Sequence, residues 1–292
     1  MRVEQDTTME AAEESHWADL KLSLQRFWEG EPIGQVGQFT GVVLTVWKLK
    51  AGELTLSKGN CVEHAQAGDW IVCHPGKRHQ AFSDSARLLS LHLQVECPAG
   101  AARWVGNPVV VFEHDAELDR LLHRLRRTSL LKHLSQQGRL HPEGELTTLE
   151  DILELKECLT AFFRRLVQLL RPLGMRYEVA SMQDARVRES YRRLNQVDLR
   201  DGFSREQLAQ TVGVSASQLD RLWMRELEQT PKRFWNWRRL QAACALLQED
   251  RQAKEVAYET GFDHLSQFSL WFRANMGESP SAFRTRQRGI TP

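Results

Sequence analysis

The sequence predicts a multidomain α+β chain: a β-rich N-terminal barrel with helices after it, then an all-α part of two helix-turn-helix units joined by a linker helix. Three observations predict it. Between Ser204 and Phe283 one unit is written twice, with Ala209, Gly213, Leu219, Trp223, Pro231 and Phe234 recurring as Ala257, Gly261, Phe268, Phe272, Pro280 and Phe283. Between Gln38 and Val95 short β-rich runs are separated by Gly, Pro, Ser, Asn and Asp, the spacing of a sandwich or barrel. Between Asp115 and Gly174 apolar residues recur at intervals of three and four.

Residues 1–18 read as a loose acidic arm carrying Glu4, Asp6, Glu10, Glu13 and Glu14, and with no apolar segment there no signal peptide is expected. Leu20, Leu22 and Leu24 alternate with polar residues and predict a strand, although Trp17, Leu20, Leu24, Phe27 and Trp28 also fit a helical face. Gln38 to Leu49, Glu53 to Ser57, Asp69 to His74 and Arg87 to Val95 follow as strands. Asp115 to about Leu134 predicts a helix through Leu118, Leu121, Leu122 and Leu125. A second opens at Thr147-Thr148-Leu149-Glu150 and stops near Pro172-Leu173-Gly174, with Ile152, Leu155, Leu159, Phe162, Leu166 and Leu169 on one face. That face either covers the barrel or forms a homodimer seam. A linker lies between Gly174 and Asp184, and Ala185 to Gln196 predicts the first helix of the C-terminal part.

Each copy of the repeat reads as helix, tight turn, helix. Ser204 with Gln207 makes a capping box, Gly213 suits the left-handed position that ends a short helix, and Ser215 caps the next helix with Gln218 as its reciprocal partner. Leu219, Leu222 and Trp223 face inward. The second copy uses Gly261 for the stop and Asp263 for the cap, with Phe268, Trp271 and Phe272 as the apolar stripe. Thr230-Pro231 and Ser279-Pro280 each start a further helix, since proline at the first helical position loses no hydrogen bond. Phe234 to Gln248 reads as one continuous helix.

These residues resemble the DNA-binding domain of the AraC family of bacterial transcription regulators. The matching positions are Ala209, Gly213, Ser215, Leu219 and Arg221, then Arg238, Leu240, Ala242, Ala243 and Leu246-Leu247. Val256-Ala257, Gly261-Phe262-Asp263, Ser266, Phe268, Phe272, Gly277, Ser279-Pro280 and Phe283-Arg284 complete the set. The resemblance implies two recognition helices offered to the DNA major groove by a linker helix. Gly68-Asp69, a strand and Pro75-Gly76-Lys77-Arg78-His79 resemble the second half of a cupin, the small barrel that serves many AraC-type regulators as a sensor. Metal-binding cupins carry an earlier motif of two histidines and a glutamate, but Gly52 to Gly68 holds only His64, so neither a metal nor another cofactor is expected. The implied organisation is a cupin-like sensor with its arm over residues 1–112, a helical dimerisation or coupling segment over 113–176, and the DNA-binding domain over 184–292.

Composition permits this without demanding it. Hydrophobic residues at 41% and charged residues at 26% are those of a globular protein. No apolar run approaches the roughly 20 residues that cross a bilayer, so a cytoplasmic protein is expected. Five cysteines without a Cys-x-x-Cys pair signal neither a disulfide framework nor a zinc site. The net charge of +1 divides into +4 from Asp184 onward, 18 basic against 14 acidic residues, and −3 before it, 21 against 24. Only two of those 18 are lysines, and the arginine fork suits phosphate and guanine.

Base edges are read by exposed side chains of a recognition helix's first turns. The candidates are Ser217, Gln218, Asp220 and Arg221 in the first unit, with Ala216 beside them, and His264, Ser266, Gln267, Ser269 and Leu270 in the second. Arg221 suits guanine, Gln218 adenine and Asp220 a cytosine amino group, unless Gln218 and Ser266 are spent on capping and Arg221 on phosphate. Backbone contacts are expected from Arg225, Lys232, Arg233, Arg238 and Arg273. Two positions depart from the family. Leu270 replaces a polar residue, so the second helix either touches thymine methyls or binds weakly, and Glu228 replaces the usual glycine of the first unit.

In the barrel, Trp47 and Trp70 form either a stacking wall for a sugar or aromatic effector or part of the core. His79 is a metal ligand, a hydrogen-bonded strand-end residue or an effector contact, and His92 shares a face with Ser90 and Gln94 that lines the barrel or faces solvent. The expected function is a regulator that binds double-stranded DNA as a homodimer under a small-molecule effector, meeting RNA polymerase if it activates, and not an enzyme. The alternatives are a constitutive DNA-binding or adaptor protein whose barrel only dimerises, and a metal-dependent cupin enzyme.

Overall fold

The computed structural model describes residues 20–32, 35–97, 101–134, 148–180, 182–249 and 251–287. The acidic arm and Thr147 lie outside them. The chain separates into two compact units, one built mainly from Leu22–Val95 and Trp104–Tyr177, the other from Glu96–Arg103 and Glu178–Arg284.

The first unit contains β1 (Lys21–Gly30), β2 (Val36–Gly41), β3 (Leu44–Ala51), β4 (Glu53–Lys58), β5 (Cys61–Gln66), β6 (Trp70–Cys73), β7 (Gly76–Phe82), β8 (Arg87–Glu96) and β10 (Val109–Phe112). The stretch at Leu20 is therefore strand. One sheet runs β1-β8-β3-β6-β10 and the other β2-β7-β4-β5; β9 (Ala101–Gly106) and β11 (Met175–Ala180) form a separate ribbon. Trp47, Leu49, Ile71, Cys73, Leu88 and Val109 of the first sheet pack on Leu54, Leu56, Ala65 and Phe82 of the second. The opposite face of the five-stranded sheet, with Val46, Trp70, Val72, Leu89, Leu91, Leu93 and Val110, is covered by α1 (Ala116–Arg126) and α3 (Leu149–Leu170). Both faces of β6 are thus dry, which is why Trp70-Ile71-Val72-Cys73 is a continuous apolar run.

The helix expected over 115–134 is two, α1 and α2 (Ser129–Leu134). The Thr128 hydroxyl between them donates back to the Leu125 carbonyl at 2.9 Å. Helix α3 opens with a reciprocal capping box between Thr148 and Asp151, and its Leu159, Phe162, Leu166 and Leu170 are buried against the sheet. Leu149, Ile152 and Leu153 at its start stay exposed. Four of the five cysteines are buried as small core residues, and Cys61 is half-buried.

The second unit is helical: α4 (Ala185–Gln196), a single 3₁₀ turn (Leu199–Asp201), α5 (Arg205–Thr211), α6 (Ala216–Leu227), α7 (Pro231–Gln248), α8 (Ala253–Glu259), α9 (Leu265–Met276) and α10 (Pro280–Gln287). Val187, Tyr191, Leu194, Leu208, Leu219, Trp223, Leu227 and Phe234 make one core. Val256, Ala257, Phe268, Phe272, Met276 and Phe283 repeat it around the other half of α7. The repeated residues are the buried ones, so the duplication seen in sequence is a duplication of core. Trp223 anchors the first copy by donating its indole N–H to Ser190 Oγ at 2.8 Å.

Candidate nucleic-acid interface

Local rules set both recognition helices. Helix α5 ends at Gly213, which takes φ +70°. Ser215 then caps α6, accepting from the Gln218 amide while Gln218 Oε1 accepts from Ser215 N at 3.0 Å and Ser215 Oγ at 3.1 Å. The Gln218 carbonyl oxygen is therefore committed to the cap. With Leu219, Trp223 and Leu227 buried, Ser217, Gln218, Arg221, Met224 and Arg225 form the exposed face of α6. Arg221 rests lightly, its Nε donating to the Ser217 carbonyl at 3.3 Å. Asp220 is more constrained: one carboxylate oxygen accepts from Arg205 at 3.1 Å and the other is buried without a hydrogen-bond partner among the described residues. Arg205 was not foreseen, and its charge offsets that of Asp220.

Helix α6 ends on Glu228 in the left-handed conformation, φ 52° and ψ 23°, so the turn keeps the geometry that glycine would supply. The Glu228 carboxylate accepts from Arg103 at 2.8 Å.

In the second copy the cap moves by one residue. His264, not Asp263, occupies the N-cap of α9 and makes no side-chain cap bond. Gly261 takes φ +75°, and a Cβ there would sit 2.2 Å from the Leu199 carbonyl oxygen, so only glycine fits. Phe268, Phe272 and Met276 are buried, which leaves His264, Leu265, Ser266, Gln267, Leu270 and Arg273 exposed and Ser269 half-buried.

The expected phosphate contacts divide. Lys232 and Arg233 are exposed at the start of α7, where Thr230 caps the helix and Pro231 follows. Arg273 is exposed on α9, and Arg225 is exposed beside Glu226 at 3.2 Å and Asp184 at 3.6 Å. Arg238 points inward instead, donating to the carbonyls of Leu194 and Val197, and burial pushes its guanidinium below the usual range. It ties α4 to α7. Its neighbour Arg239 does the same for the second copy, donating to the carbonyls of Thr260 at 2.7 Å and Gly261 at 2.9 Å and stacking 3.6 Å from the Phe262 ring centre. Desolvation takes that guanidinium down to about 10. Nothing in the sequence separates these two internal arginines from the surface ones except their place beside buried residues of a helix.

A helix-turn-helix domain model matches residues 208–286. Residues 208–286 are an AraC-type helix-turn-helix domain. Curated proteins are also similar to part of the chain. The HTH-type transcriptional regulator CdhR of Pseudomonas aeruginosa is 38% identical over 79 residues, 27% of this chain and 24% of that protein. The HTH-type transcriptional regulator RipA of Corynebacterium glutamicum is 37% identical over 93 residues, 31% of this chain and 27% of that protein. The chain thus spans about a quarter of the length of the curated relatives it matches. In solved structures the likeness is wider. ToxT of Vibrio cholerae O395 superimposes with a TM-score of 0.58 and 12% identity, covering 94% of this chain and all of that one. ToxT of strain SCE256 with unsaturated fatty acid bound gives the same TM-score. At such identity the likeness shows the fold, a β-rich part followed by a helical part.

In the β-rich unit the expected effector residues are scattered. Trp47 and Trp70 belong to opposite faces of the sheet, since Trp47 pairs with Ile71 and Lys48 with Trp70, so they form no shared wall. Trp70 lies under the helices, its indole donating to Asp119 at 3.1 Å, while Trp47 faces the space between the sheets and donates to Ser90 at 3.0 Å. His79 is exposed because alternation along β7 sends Arg78 and Gln80 inward. His92, half-buried, shares the inward face of β8 with buried Ser90. Arg78, missed in the sequence, is buried over Trp47 with its guanidinium carbon 4.9 Å from the ring centre, and it donates to Gln80 at 3.2 Å and Thr45 at 3.4 Å. Lys58 is buried too, donating to the carbonyls of His74 at 2.6 Å and Pro75 at 2.7 Å, beside an open cavity of about 610 Å³ lined also by Asn60, Cys61, Lys77 and Pro108. Among the described residues no three His, Cys, Asp or Glu side chains gather as a metal site, and no helix is long and apolar enough to cross a membrane.

Proposed function

We propose that the protein is a sequence-specific, DNA-binding transcription regulator whose β-rich unit takes a small-molecule effector. One observation carries the reading: the AraC-type domain holds two helix-turn-helix units whose second helices bury one apolar stripe in the core and leave the other face exposed, mainly polar but for Met224, Leu265 and Leu270. Arg221 and Gln218 on α6, and His264, Ser266, Gln267 and Ser269 on α9, are the base-reading set, with Ser217 and Asp220 beside them. Arg225, Lys232, Arg233 and Arg273 are the phosphate set. The protein acts as a homodimer, and RNA polymerase is its partner where it activates.

The effector reading rests on the charge between the sheets. The buried polar residues there are Thr45, Lys58, Arg78, Gln80 and Ser90, and no Asp or Glu is buried among the described residues. Two buried cations between the sheets, Lys58 and Arg78, favour an anion. An organic acid therefore suits this unit better than a neutral sugar, and the fold neighbour ToxT has been solved with a fatty acid bound.

Selection from random double-stranded fragments at about 0.15 M salt, with sequencing of the retained pool, tests the DNA reading. Enrichment of a two-part motif by the wild type, lost in Arg221→Ala/Gln267→Ala, is expected. No enrichment, with or without an organic-acid panel, moves the assignment to a constitutive adaptor.

A further inference from the structure

The two recognition helices offer different chemistry to a groove. Helix α6 presents Ser217, Gln218 and Arg221, all polar, in its first turns, and its exposed Met224 lies nearly a turn beyond them. Helix α9 presents Leu270 at the middle of its outer face, 73% exposed, the most exposed large hydrophobic side chain among the described residues. Leu265 in its first turn is a further 43% exposed. The core does not need Leu270, because Phe268, Phe272 and Met276 already fill the inward side of α9. Its helical neighbours at three and four positions, Ser266, Gln267, Arg273 and Ala274, are all exposed and include no large apolar residue, so it belongs to no broad protein-docking patch.

The DNA major groove has one apolar feature, the 5-methyl group of thymine. Resting on the DNA-binding reading above, we propose that Leu270 is a specificity-determining residue that recognises thymine methyl groups, so that α9 selects a thymine-containing half-site while α6 selects a guanine through Arg221. Ser266 and Gln267, one turn earlier on the same face, supply the hydrogen bonds that fix the register. Burying one methyl contributes about 0.8 kcal/mol, which corresponds to about fourfold in affinity.

The test uses the full-length protein and the DNA it enriches in the selection. Thymines of the α9 half are replaced one at a time by deoxyuridine, which removes the methyl and leaves pairing and hydrogen-bonding edges intact. Wild type is expected to lose about fourfold per contacted methyl, with no loss from the same replacement in the α6 half. Leu270→Ala is expected to bind the thymine operator more weakly and to be indifferent to deoxyuridine. Enriched DNA whose α9 half contains no thymine, or equal wild-type affinity for the deoxyuridine operators, overturns the proposal while leaving DNA binding intact. So does a Leu270→Ala protein that keeps full affinity, which would assign the side chain to a protein partner. Failure to enrich any operator instead sinks the regulator reading on which the proposal rests.

Discussion

Truncating Arg239 should loosen the second helix-turn-helix without touching its reading face. The side chain makes two bonds from a charged donor to carbonyls of the α8–α9 turn and lies 3.6 Å from the Phe262 ring centre and 5.3 Å from that of Trp271. Charge-assisted hydrogen bonds contribute about 1.5–3 kcal/mol each and a desolvated cation–π contact about 1–2. Against that stands the dehydration of the guanidinium, seen in its pKa of about 10. Allowing roughly half the gross gain for it, Arg239→Ala should lower the local opening free energy by ~2–4 kcal/mol. Amides of α8, α9 and the turn between them would then exchange with deuterium ~30- to ~700-fold faster in full-length protein. Protection in α4, α5 and α6 should stay as it was, because those helices pack around the other half of α7. Unchanged exchange at residues 256–262, or equal acceleration throughout the unit, would refute the clamp.

Other substitutions test other parts of the same unit. At Glu228 the left-handed backbone costs an L-residue about 1–2 kcal/mol, which the wild type already carries, so Glu228→Gly should gain up to about that much, its exposed pair with Arg103 being worth little, while β-branched Glu228→Val should lose stability; chemical denaturation giving Val equal to Gly would contradict this. Ser190→Ala strands the buried Trp223 indole N–H and should cost about 1–3 kcal/mol in the same assay, whereas an unchanged midpoint would mean the indole finds another acceptor. Asp184 caps α4 and is held at about 2 by the Arg186 side chain and amide, below its ordinary 3.8. A depressed carboxylate stabilises above the unfolded value and loses that contribution as pH falls from about 4 to about 2. Asp184→Asn should therefore be less stable than wild type at pH 7 and converge with it near pH 2, and far-UV acid titrations that stay parallel would contradict the assignment.

How far the sequence reached depended on how local each signal was. The duplicated helices were legible because their caps, stops and apolar stripes act within a few residues, down to the reciprocal Ser215–Gln218 cap. The slipped cap at His264 was not, since Asp263 and His264 are adjacent and both polar, and no side-chain cap bond marks the one chosen. In the β-rich unit, β6 was readable as an unbroken apolar run, while β5 and β7 were not. Strand β7 inverts the usual alternation by turning Arg78 and Gln80 inward and leaving His79 exposed, a pattern that follows from what lies between the sheets. The sequence leaves Trp47 and Trp70 as a stacking wall or as core, and the pairing of β3 with β6 puts them on opposite faces of the sheet, both buried. Arg238 and Arg239 show the same limit: their destination is a set of carbonyls contributed by distant turns.

The most direct test of the central claim repeats the random-fragment selection with the two recognition helices disabled separately. If α6 and α9 each read one half of a two-part site, Arg221→Ala should erase sequence preference at one half and Gln267→Ala at the other, each leaving its partner half intact. If both variants erase the same positions, or both keep the full motif, the two-helix reading is contradicted.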